Sequence, residues 1–204
     1  MAKLSIIIPV YNMSEQLVQC ILTIQQTVRL PYEVIIVDDG SVEDERVSIS
    51  MGGGDIRILH SEEHRGFSHA VNMGIRASVG EVLLFLHADV LLAPHTAADM
   101  LDALIEDERL GAAFAASVYE RAQLLPDAPY HGWSSFVATA EAIRARGKAA
   151  YPEILAEMIA LMVRRDVVEA AGFLDEQYQV PALAAYDAGG LWNRGVAVRL
   201  CPSQ

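Results

Sequence analysis

Three short segments in the first half of the chain are almost wholly apolar: residues 4–10, 33–37 and 82–86. Apolar runs of four to eight residues, bounded by turn residues, are typical of strands buried on both faces of a parallel sheet. Two further runs, Ile56–Leu59 and Gly111–Val118, predict additional strands. The first half of the chain therefore predicts at least five strands.

Between these runs, apolar residues recur at the spacing of three and four that one face of a helix requires. A first helix is predicted after Asn12 and Ser14, either of which could cap it, and Pro31 ends it. A second helix is predicted around Ala70–Ser78. A third is predicted to open with Thr96 and Asp99 in the manner of a capping box and to run through Ile105.

Strands that alternate with helices predict an α/β fold, with an open, mostly parallel mixed sheet of Rossmann-like type and helices on both faces. The second half is less regular, and its predicted elements are a loop (Gln123–Gly132), a helix (Ser135–Arg146), a strand (Ile159–Val163), a helix (Asp166–Ala171) and a strand (Val196–Leu200). We expect a single domain over residues 1–204, with a soft boundary near Arg121 between residues 1–120 and 121–204.

Charge and composition exclude several classes of protein. The 204 residues carry a formal net charge of −12, and Lys3 and Lys148 are the only lysines. Since nucleic acid binding needs a clustered basic surface, we expect no nucleic acid partner. The longest apolar run, Glu81–Leu92, contains His87 and Asp89 and is too short to span a bilayer. We therefore expect no transmembrane segment and a cytoplasmic protein, which could act peripherally at a membrane surface.

The cysteines and histidines give no pattern typical of a metal or disulfide scaffold. Cys20 and Cys201 are the only cysteines, and we expect buried thiols rather than a disulfide between them. His60, His64 and His69 lack the grouping with cysteines that a zinc site needs, so we interpret them as exposed loop and helix histidines.

Polar residues collect where the predicted strands end. The first strand ends in Pro9-Val10-Tyr11-Asn12, the second in Asp38-Asp39-Gly40-Ser41, and the fourth in His87-Ala88-Asp89. A single such segment could simply start a turn or cap a helix. Three of them at one edge are not explained by core packing, and ligands of open α/β sheets bind beyond the carboxyl ends of the strands. We therefore predict a ligand site at this edge.

Six segments in order resemble glycosyltransferase family 2, a family of GT-A type fold that uses nucleotide diphosphate sugars. The segments are residues 5–12, 33–41, 65–74, 80–89, 161–166 and 172–176. The resemblance covers nearly the whole chain at the family's spacing. It implies that residues 1–120 bind the nucleotide sugar and that residues 121–204 face the acceptor.

The resemblance implies a divalent cation, Mn²⁺ or Mg²⁺, on the diphosphate of the donor. Asp89 matches the last acid of the family's Asp-x-Asp motif and is the expected metal ligand. His87 stands where the first acid usually lies, which weakens the expected contact with the ribose. One carboxylate with phosphate oxygens and waters is enough to hold either ion.

The same resemblance assigns the remaining donor contacts. Asp39, or its neighbour Asp38, would accept a hydrogen bond from a ring nitrogen of the nucleobase, and Tyr11 would pack against the base. Pro9, at the end of the same strand, belongs to this donor site. Arg65 would reach the diphosphate, although a surface arginine explains it equally well.

The region that matches the family's catalytic base departs most from the family pattern. Inverting transfer needs a carboxylate that takes the proton of the acceptor hydroxyl. In residues 184–195, Asp187 is the candidate base and Arg194 matches the family's arginine, but Tyr186 replaces the first acid of the usual Glu-Asp pair. The segment is also about one helical turn shorter than in the family, and two adjacent glycines weaken its helix by about 1 kcal/mol each.

Two functions other than transfer stay open. A degenerate domain that binds a nucleotide sugar or a partner without transfer would explain the altered segment. A nucleotidyltransferase of similar topology would need a glycine-rich, basic opening loop, and residues 10–17 contain neither glycine nor lysine. The sequence favours an inverting, metal-dependent transferase with a UDP- or GDP-linked donor. It leaves open whether the acceptor is a glycan, a lipid-linked molecule or another compound, and whether the chain forms a homo-oligomer.

Overall fold

The computed structural model describes residues 3–42, 55–115, 132–145, 159–177 and 197–201. Strands and helices alternate through most of these ranges. The elements are β1 (Leu4–Val10), α1 (Ser14–Thr27), β2 (Tyr32–Asp38), β3 (Asp55–His60), α2 (Phe67–Ala77), β4 (Val82–Leu86), α3 (Thr96–Glu106), β5 (Leu110–Ala115), α4 (Trp133–Ala145), β6 (Ala160–Arg164), α5 (Arg165–Ala171) and β7 (Ala197–Cys201).

The described strands form one seven-stranded sheet in the order β3-β2-β1-β4-β6-β5-β7. The pairs β1–β2, β2–β3, β1–β4 and β5–β7 are parallel, whereas β6 lies antiparallel between β4 and β5. The prediction of an open, mostly parallel mixed sheet is therefore confirmed. Since β6 joins strands from residues 1–120, both halves of the sequence contribute to the same sheet.

Helices cover both faces of the sheet because successive residues of a strand point to opposite sides. On one face, Ile6 and Ile8 of β1 pack in one cluster with apolar residues of α1 and α3. On the other face, Ile7 packs with Val71 and Ile75 of α2. All three isoleucines are fully buried, which explains why the sequence of β1 is apolar almost without alternation.

Gly74 of α2 lies directly over β1. A Cβ at this position would overlap the side chain of Ile7, so glycine lets the helix approach the sheet more closely than alanine would. This close approach sets the height of α2 above the strands, and the amino terminus of α2 faces the carboxyl edge of the sheet.

Two predicted helix caps are wrong. Met13 precedes α1 and makes no side-chain cap bond, while the Asn12 side chain accepts a hydrogen bond from the Val42 N–H instead. Thr96 is the first residue of α3 and follows His95, which has left-handed backbone angles (φ 70°). Among the described side chains, the buried Thr96 hydroxyl lacks a hydrogen-bond partner, so it does not form the predicted capping box.

None of the helices in the described ranges is long and apolar enough to cross a bilayer.

Candidate functional site

The turn after β2 is built around the carboxylate of Asp38. One of its oxygens accepts the Ser41 N–H at 3.0 Å, and the other lies 3.1 Å from Nδ1 of His60. A carboxylate that accepts a backbone N–H three residues later stabilises a turn. Asp38 is 1% exposed, so in this structure its first role is to hold the turn.

Asp39 connects the same turn to the start of α2. Its Oδ1 accepts the Arg65 N–H at 3.1 Å, and its Oδ2 accepts the Gly66 N–H at 2.7 Å. Gly66 immediately precedes α2, so Asp39 places a negative charge at the positive end of that helix. A carboxylate offers about four lone-pair directions, so a further donor from a ligand can still be accepted. The predicted contact of Asp39 with a nucleobase stays a prediction.

The end of β1 lies beside this turn. The Asp39 N–H donates to the Val10 carbonyl at 2.9 Å, and the Asn12 N–H donates to the Ser41 hydroxyl at 3.0 Å. Tyr11 lies between these two anchored positions and keeps 40% of its surface exposed. Pro9 pairs with Val37 in the sheet, and its predicted place in the donor site stays a prediction.

Asp89 follows β4 and has a half-exposed carboxylate, with 52% of its side chain accessible. Its Oδ1 lies 2.8 Å from Nδ1 of His87, whose ring is stacked near Phe67 at a centroid distance of 6.4 Å. Below this turn, burial raises the pKa of the Cys20 thiol to about 12, and the negative charge of Asp89 adds to the effect. Cys20 is therefore a protonated, unreactive thiol at neutral pH.

Four histidines on this side of the sheet each contact one carboxylate through Nδ1. Since a carboxylate accepts, Nδ1 carries a proton in each pair. The interpretation of His69 as an exposed helix residue is wrong, because it is buried in α2. The pairs are His60 with Asp38 (3.1 Å), His64 with Asp39 (2.9 Å), His69 with Glu176 (3.0 Å) and His87 with Asp89 (2.8 Å).

Glu176 ties the segment after α5 to α2. Its carboxylate accepts a hydrogen bond from Asn72 and contacts His69, and these two interactions, led by Asn72, lower the pKa of Glu176. Asn72 also holds the backbone of Leu174 in both directions, at 2.9 and 3.0 Å. Arg65 directs its guanidinium at Glu176, at 3.3 Å, and its side chain is 55% exposed. Arg65 thus lies between the Asp39 turn and this segment.

The structure brings together most, though not all, of the residues predicted for the site. Tyr11, Asp39 and Arg65 lie in one connected set of contacts, and Asp89 lies at the same carboxyl edge of the sheet, after β4. Asp187 and Arg194 lie outside the described residues. Within the described ranges, no three histidine, cysteine or acidic side chains form a group that could hold a metal ion.

Sequence reasoning missed the contributions of His64 and Glu176. The ring of His64 stacks on Tyr11, and Glu176 gathers Asn72, His69 and Arg65 around one carboxylate. In the sequence, His64 is separated from Tyr11 by more than fifty residues and Glu176 from Asn72 by more than one hundred. No local pattern carries such pairings.

Comparison with known proteins shows the family to which the chain belongs. A family model described as "Glycosyl transferase family 2" matches residues 5–154. The chain is 33% identical over 89 residues to glycosyltransferase GlyG of Streptococcus pneumoniae, which is 42% of this chain and 30% of that protein. It is 38% identical over 101 residues to dolichyl-phosphate beta-glucosyltransferase of Drosophila melanogaster, covering 43% of this chain and 31% of that protein.

Solved structures agree with the fold. A mannosyltransferase from Pyrobaculum calidifontis, in complex with GDP-Man and Mn²⁺, superposes with a TM-score of 0.68 at 19% identity, covering 98% of this chain and 55% of that one. TarS of S. aureus, in complex with UDP-GlcNAc, superposes with a TM-score of 0.67 at 15% identity, covering 99% and 56%. The fold is of the GT-A type, and the chain spans about a third of the curated relatives and just over half of these structures.

Proposed function

Because the chain belongs to glycosyltransferase family 2, we propose that it transfers a sugar from a nucleotide diphosphate donor to an acceptor, with inversion at the anomeric carbon. The observation that carries the proposal is that two turns lie at the same edge of the sheet, because β2 and β4 both run parallel to β1. The turn after β2 brings Asp38 and Asp39, and the turn after β4 brings His87 and Asp89. In open α/β sheets this edge is the one that binds ligands.

The donor is a UDP- or GDP-linked sugar in this proposal. One structural neighbour holds GDP-Man and another holds UDP-GlcNAc. In this chain, Asp39 would accept a hydrogen bond from the base, and the accessible ring of Tyr11 would stack on it. A buried acceptor such as Asp39 selects a base by leaving the wrong one with an unmatched polar group.

The Asp89 carboxylate suits a divalent cation. It is half exposed, and a single carboxylate with phosphate oxygens and waters is enough for Mg²⁺ or Mn²⁺. When bound, such an ion neutralises the charge that builds on the leaving diphosphate. His87 would hold Asp89 in place through Nδ1, and the guanidinium of Arg65 would add positive charge on the diphosphate.

The proton of the acceptor hydroxyl would go to Asp187, which is the candidate general base from sequence and lies outside the described residues. Arg194, from the same part of the chain, would contribute to substrate binding. We further propose that the acceptor reaches the site from the side of residues 121–204, and that a lipid-linked acceptor would be met at the membrane surface. A protein that binds donors but transfers from none of them would instead be a degenerate nucleotide-sugar-binding domain.

A thermal-shift screen of UDP- and GDP-linked sugars, with and without Mn²⁺, tests the donor. A ligand that binds only the native state raises Tm, by an amount that grows with its concentration relative to Kd. We expect one nucleotide class to raise Tm more with Mn²⁺ than without it. If no nucleotide diphosphate or nucleotide sugar shifts Tm, the proposed function is wrong.

Replacing Asp89 tests the metal. Asp89→Ala should remove the Mn²⁺-dependent part of donor affinity while leaving Tm unchanged, because Asp89 lies on an exposed turn. Asp99→Ala is the control for the loss of one negative charge, because Asp99 lies in the first turn of α3, the next helix after Asp89. Calorimetry that finds the same gain from Mn²⁺ in Asp89→Ala as in wild type would reject Asp89 as the ligand.

A further inference from the structure

The ring of His64 lies flat against the ring of Tyr11. Their centroids are 3.9 Å apart, and the ring planes differ by 20°. This is a stacked aromatic contact between residues that are distant in sequence, at the edge of the sheet where the donor is proposed to bind. Tyr11 is still 40% exposed, so the contact covers only part of its side chain.

His64 is held in place by contacts with Asp39 and Gly40. Its Nδ1 lies 2.9 Å from Oδ2 of Asp39 and 3.2 Å from the Asp39 carbonyl oxygen. The backbone of residues 63–64 also lies against Gly40, where a Cβ would come within 2.6 Å of the backbone nitrogen of His64. Gly40 has a φ of 76°, which favours glycine and allows this close approach. The imidazole therefore has a defined position.

Tyr11 gains its orientation from both sides. The backbone before and after it is held by the Asp39 N–H on Val10 and by the Asn12 N–H on Ser41, and the ring is held by His64. A tyrosine ring that projected freely into solvent would lose rotamer freedom when a base stacked on it. A ring that is already held loses less.

We propose that His64 is a positioning residue for the nucleobase: it backs Tyr11 so that the opposite face of the Tyr11 ring is presented to the base of the donor. The inference rests on the proposed function, since it requires a nucleoside diphosphate in this site. Asp39 then serves twice, because it fixes His64 and lies beside the base that Tyr11 receives. Every nucleobase has a π-face, so stacking supplies affinity, while Asp39 supplies the choice of base.

Calorimetry of nucleoside diphosphate binding in the presence of Mn²⁺ tests this role, with UDP or GDP chosen by the thermal-shift screen. His64→Ala should weaken binding about tenfold, within the range that stacking on an aromatic side chain contributes. His64→Phe, which keeps a flat ring but has no nitrogen for Asp39, should recover most of the lost affinity.

His60 supplies a matched control. Like His64, it has a side chain that is 48% exposed and pairs through Nδ1 with a buried aspartate, but its partner is Asp38. His60→Ala should leave the affinity within about twofold of wild type, as expected for a partly exposed substitution. Inorganic pyrophosphate with Mn²⁺ is the control ligand, and its affinity should be the same in wild type and His64→Ala because it has no base.

A double-mutant cycle shows whether His64 acts through Tyr11. In a Tyr11→Ala background, His64→Ala should weaken nucleoside diphosphate binding by less than about twofold, because the residue that it positions is gone. A purely structural role for His64 would lower the affinity for pyrophosphate as well and would persist without Tyr11.

The outcomes separate this inference from the function on which it rests. If wild type binds no nucleoside diphosphate, the proposed function and the inference both fail. If wild type binds and His64→Ala binds equally well or more tightly, only the inference fails. It also fails if His64→Phe is as weak as His64→Ala, since the contact between Nδ1 of His64 and Asp39 would then be what matters, or if pyrophosphate loses affinity in parallel.

Discussion

The sheet carries a polar cluster at each of its two edges, and the two clusters differ in what they leave accessible. At the amino edge, the buried carboxylate of Glu33 accepts hydrogen bonds from the Ser5 hydroxyl (2.6 Å), the Val79 N–H (2.9 Å) and Arg57 (2.5 Å). At the carboxyl edge, Tyr11 is 40% exposed and the Asp89 side chain is 52% exposed.

The polar groups around Glu33 at the amino edge also form hydrogen bonds with neighbouring residues of the fold. The Ser5 hydroxyl accepts the Gly80 N–H, and Arg165 donates to the Gly80 carbonyl and to Ser78. A Cβ at Gly80 would meet the Ser5 hydroxyl and backbone at 2.5–2.7 Å, so the packing there has no room for a further group. These contacts join β1, β2 and the residues before β4, and their role is structural.

A buried charge is not by itself evidence of a ligand site. Glu33 is as deeply buried as Asp38, yet its three hydrogen-bond donors belong to the fold and the packing around Gly80 leaves no space for a ligand beside them. The carboxyl edge differs because its acids are held by histidines that are partly exposed, and because an aromatic ring and a carboxylate face solvent beside them. Accessibility of correctly placed groups separates the candidate site from the structural cluster.

The largest effect of a single substitution is expected at the amino edge, on the free energy of unfolding. Glu33→Ala should lower the free energy of unfolding by about 1–3 kcal/mol for each buried donor that loses its acceptor, which are the Ser5 hydroxyl and the Val79 N–H. Nucleoside diphosphate affinity at temperatures well below Tm should not change. Urea unfolding with calorimetry checks both. A loss of affinity without a loss of stability would contradict the distinction between the two edges.

Asp187→Asn should have the next largest effect, and it concerns catalysis. Transfer, or slow hydrolysis of the donor, should fall at least about a hundredfold, because a general base contributes about that much at the lower end of its range. Donor binding should be unchanged, and Asp175→Asn serves as the control for loss of one negative charge. Full activity in Asp187→Asn would place the base elsewhere.

Asp39→Asn tests base recognition at the carboxyl edge. It should weaken nucleoside diphosphate binding by about 1–3 kcal/mol, the usual cost of an unmatched buried hydrogen bond. Asp38→Asn is the matched comparison, since both side chains are buried but Asp38 holds its own turn. Calorimetry that measures the affinity of each variant for UDP and for GDP distinguishes the two roles. Unchanged affinity in Asp39→Asn would move the role to Asp38 or to the backbone.

The smallest effect is a change in the pH dependence of stability. Burial raises the pKa of Glu33, but hydrogen bonds from Ser5, Val79 and Arg57 outweigh burial and leave that pKa lowered. The unfolded chain therefore takes up the proton first, and the stabilisation is complete above the unfolded value of about 4.3 and is lost as pH falls through the folded pKa.

Unfolding free energies measured in urea between about pH 7 and pH 3.5 should therefore fall more steeply below about pH 5 in wild type than in Glu33→Gln. Other carboxylates with lowered pKa values, Asp166 and Glu176 among them, keep a residual slope in both proteins. Equal slopes would mean that the pKa of Glu33 is the same in the folded and the unfolded chain.

The apolar runs and the polar residues that follow them are enough to predict most strands in the described ranges and the edge of the sheet at which the candidate site lies. β1 and β4 begin and end where their apolar runs do, because a run buried on both faces leaves little freedom in its limits. Polar residues directly after β2 and β4 had to reach the carboxyl edge, since parallel strands end together. Asp38, Asp39 and Asp89 were identifiable for this reason.

The contacts between residues that are distant in sequence depend on the tertiary structure. The antiparallel placement of β6 between β4 and β5, the partners of the four histidines and the stacking of His64 on Tyr11 join residues far apart in the chain. Secondary-structure propensity and hydrophobic periodicity report on residues a few positions apart. The contacts named here depend on how α2 and the loops pack against the sheet. The predicted cap at Asn12 failed because its side chain accepts the Val42 N–H, a tertiary contact that overrides the local preference. The capping box at Thr96 failed because His95, with left-handed backbone angles, precedes the helix and Thr96 is its first residue.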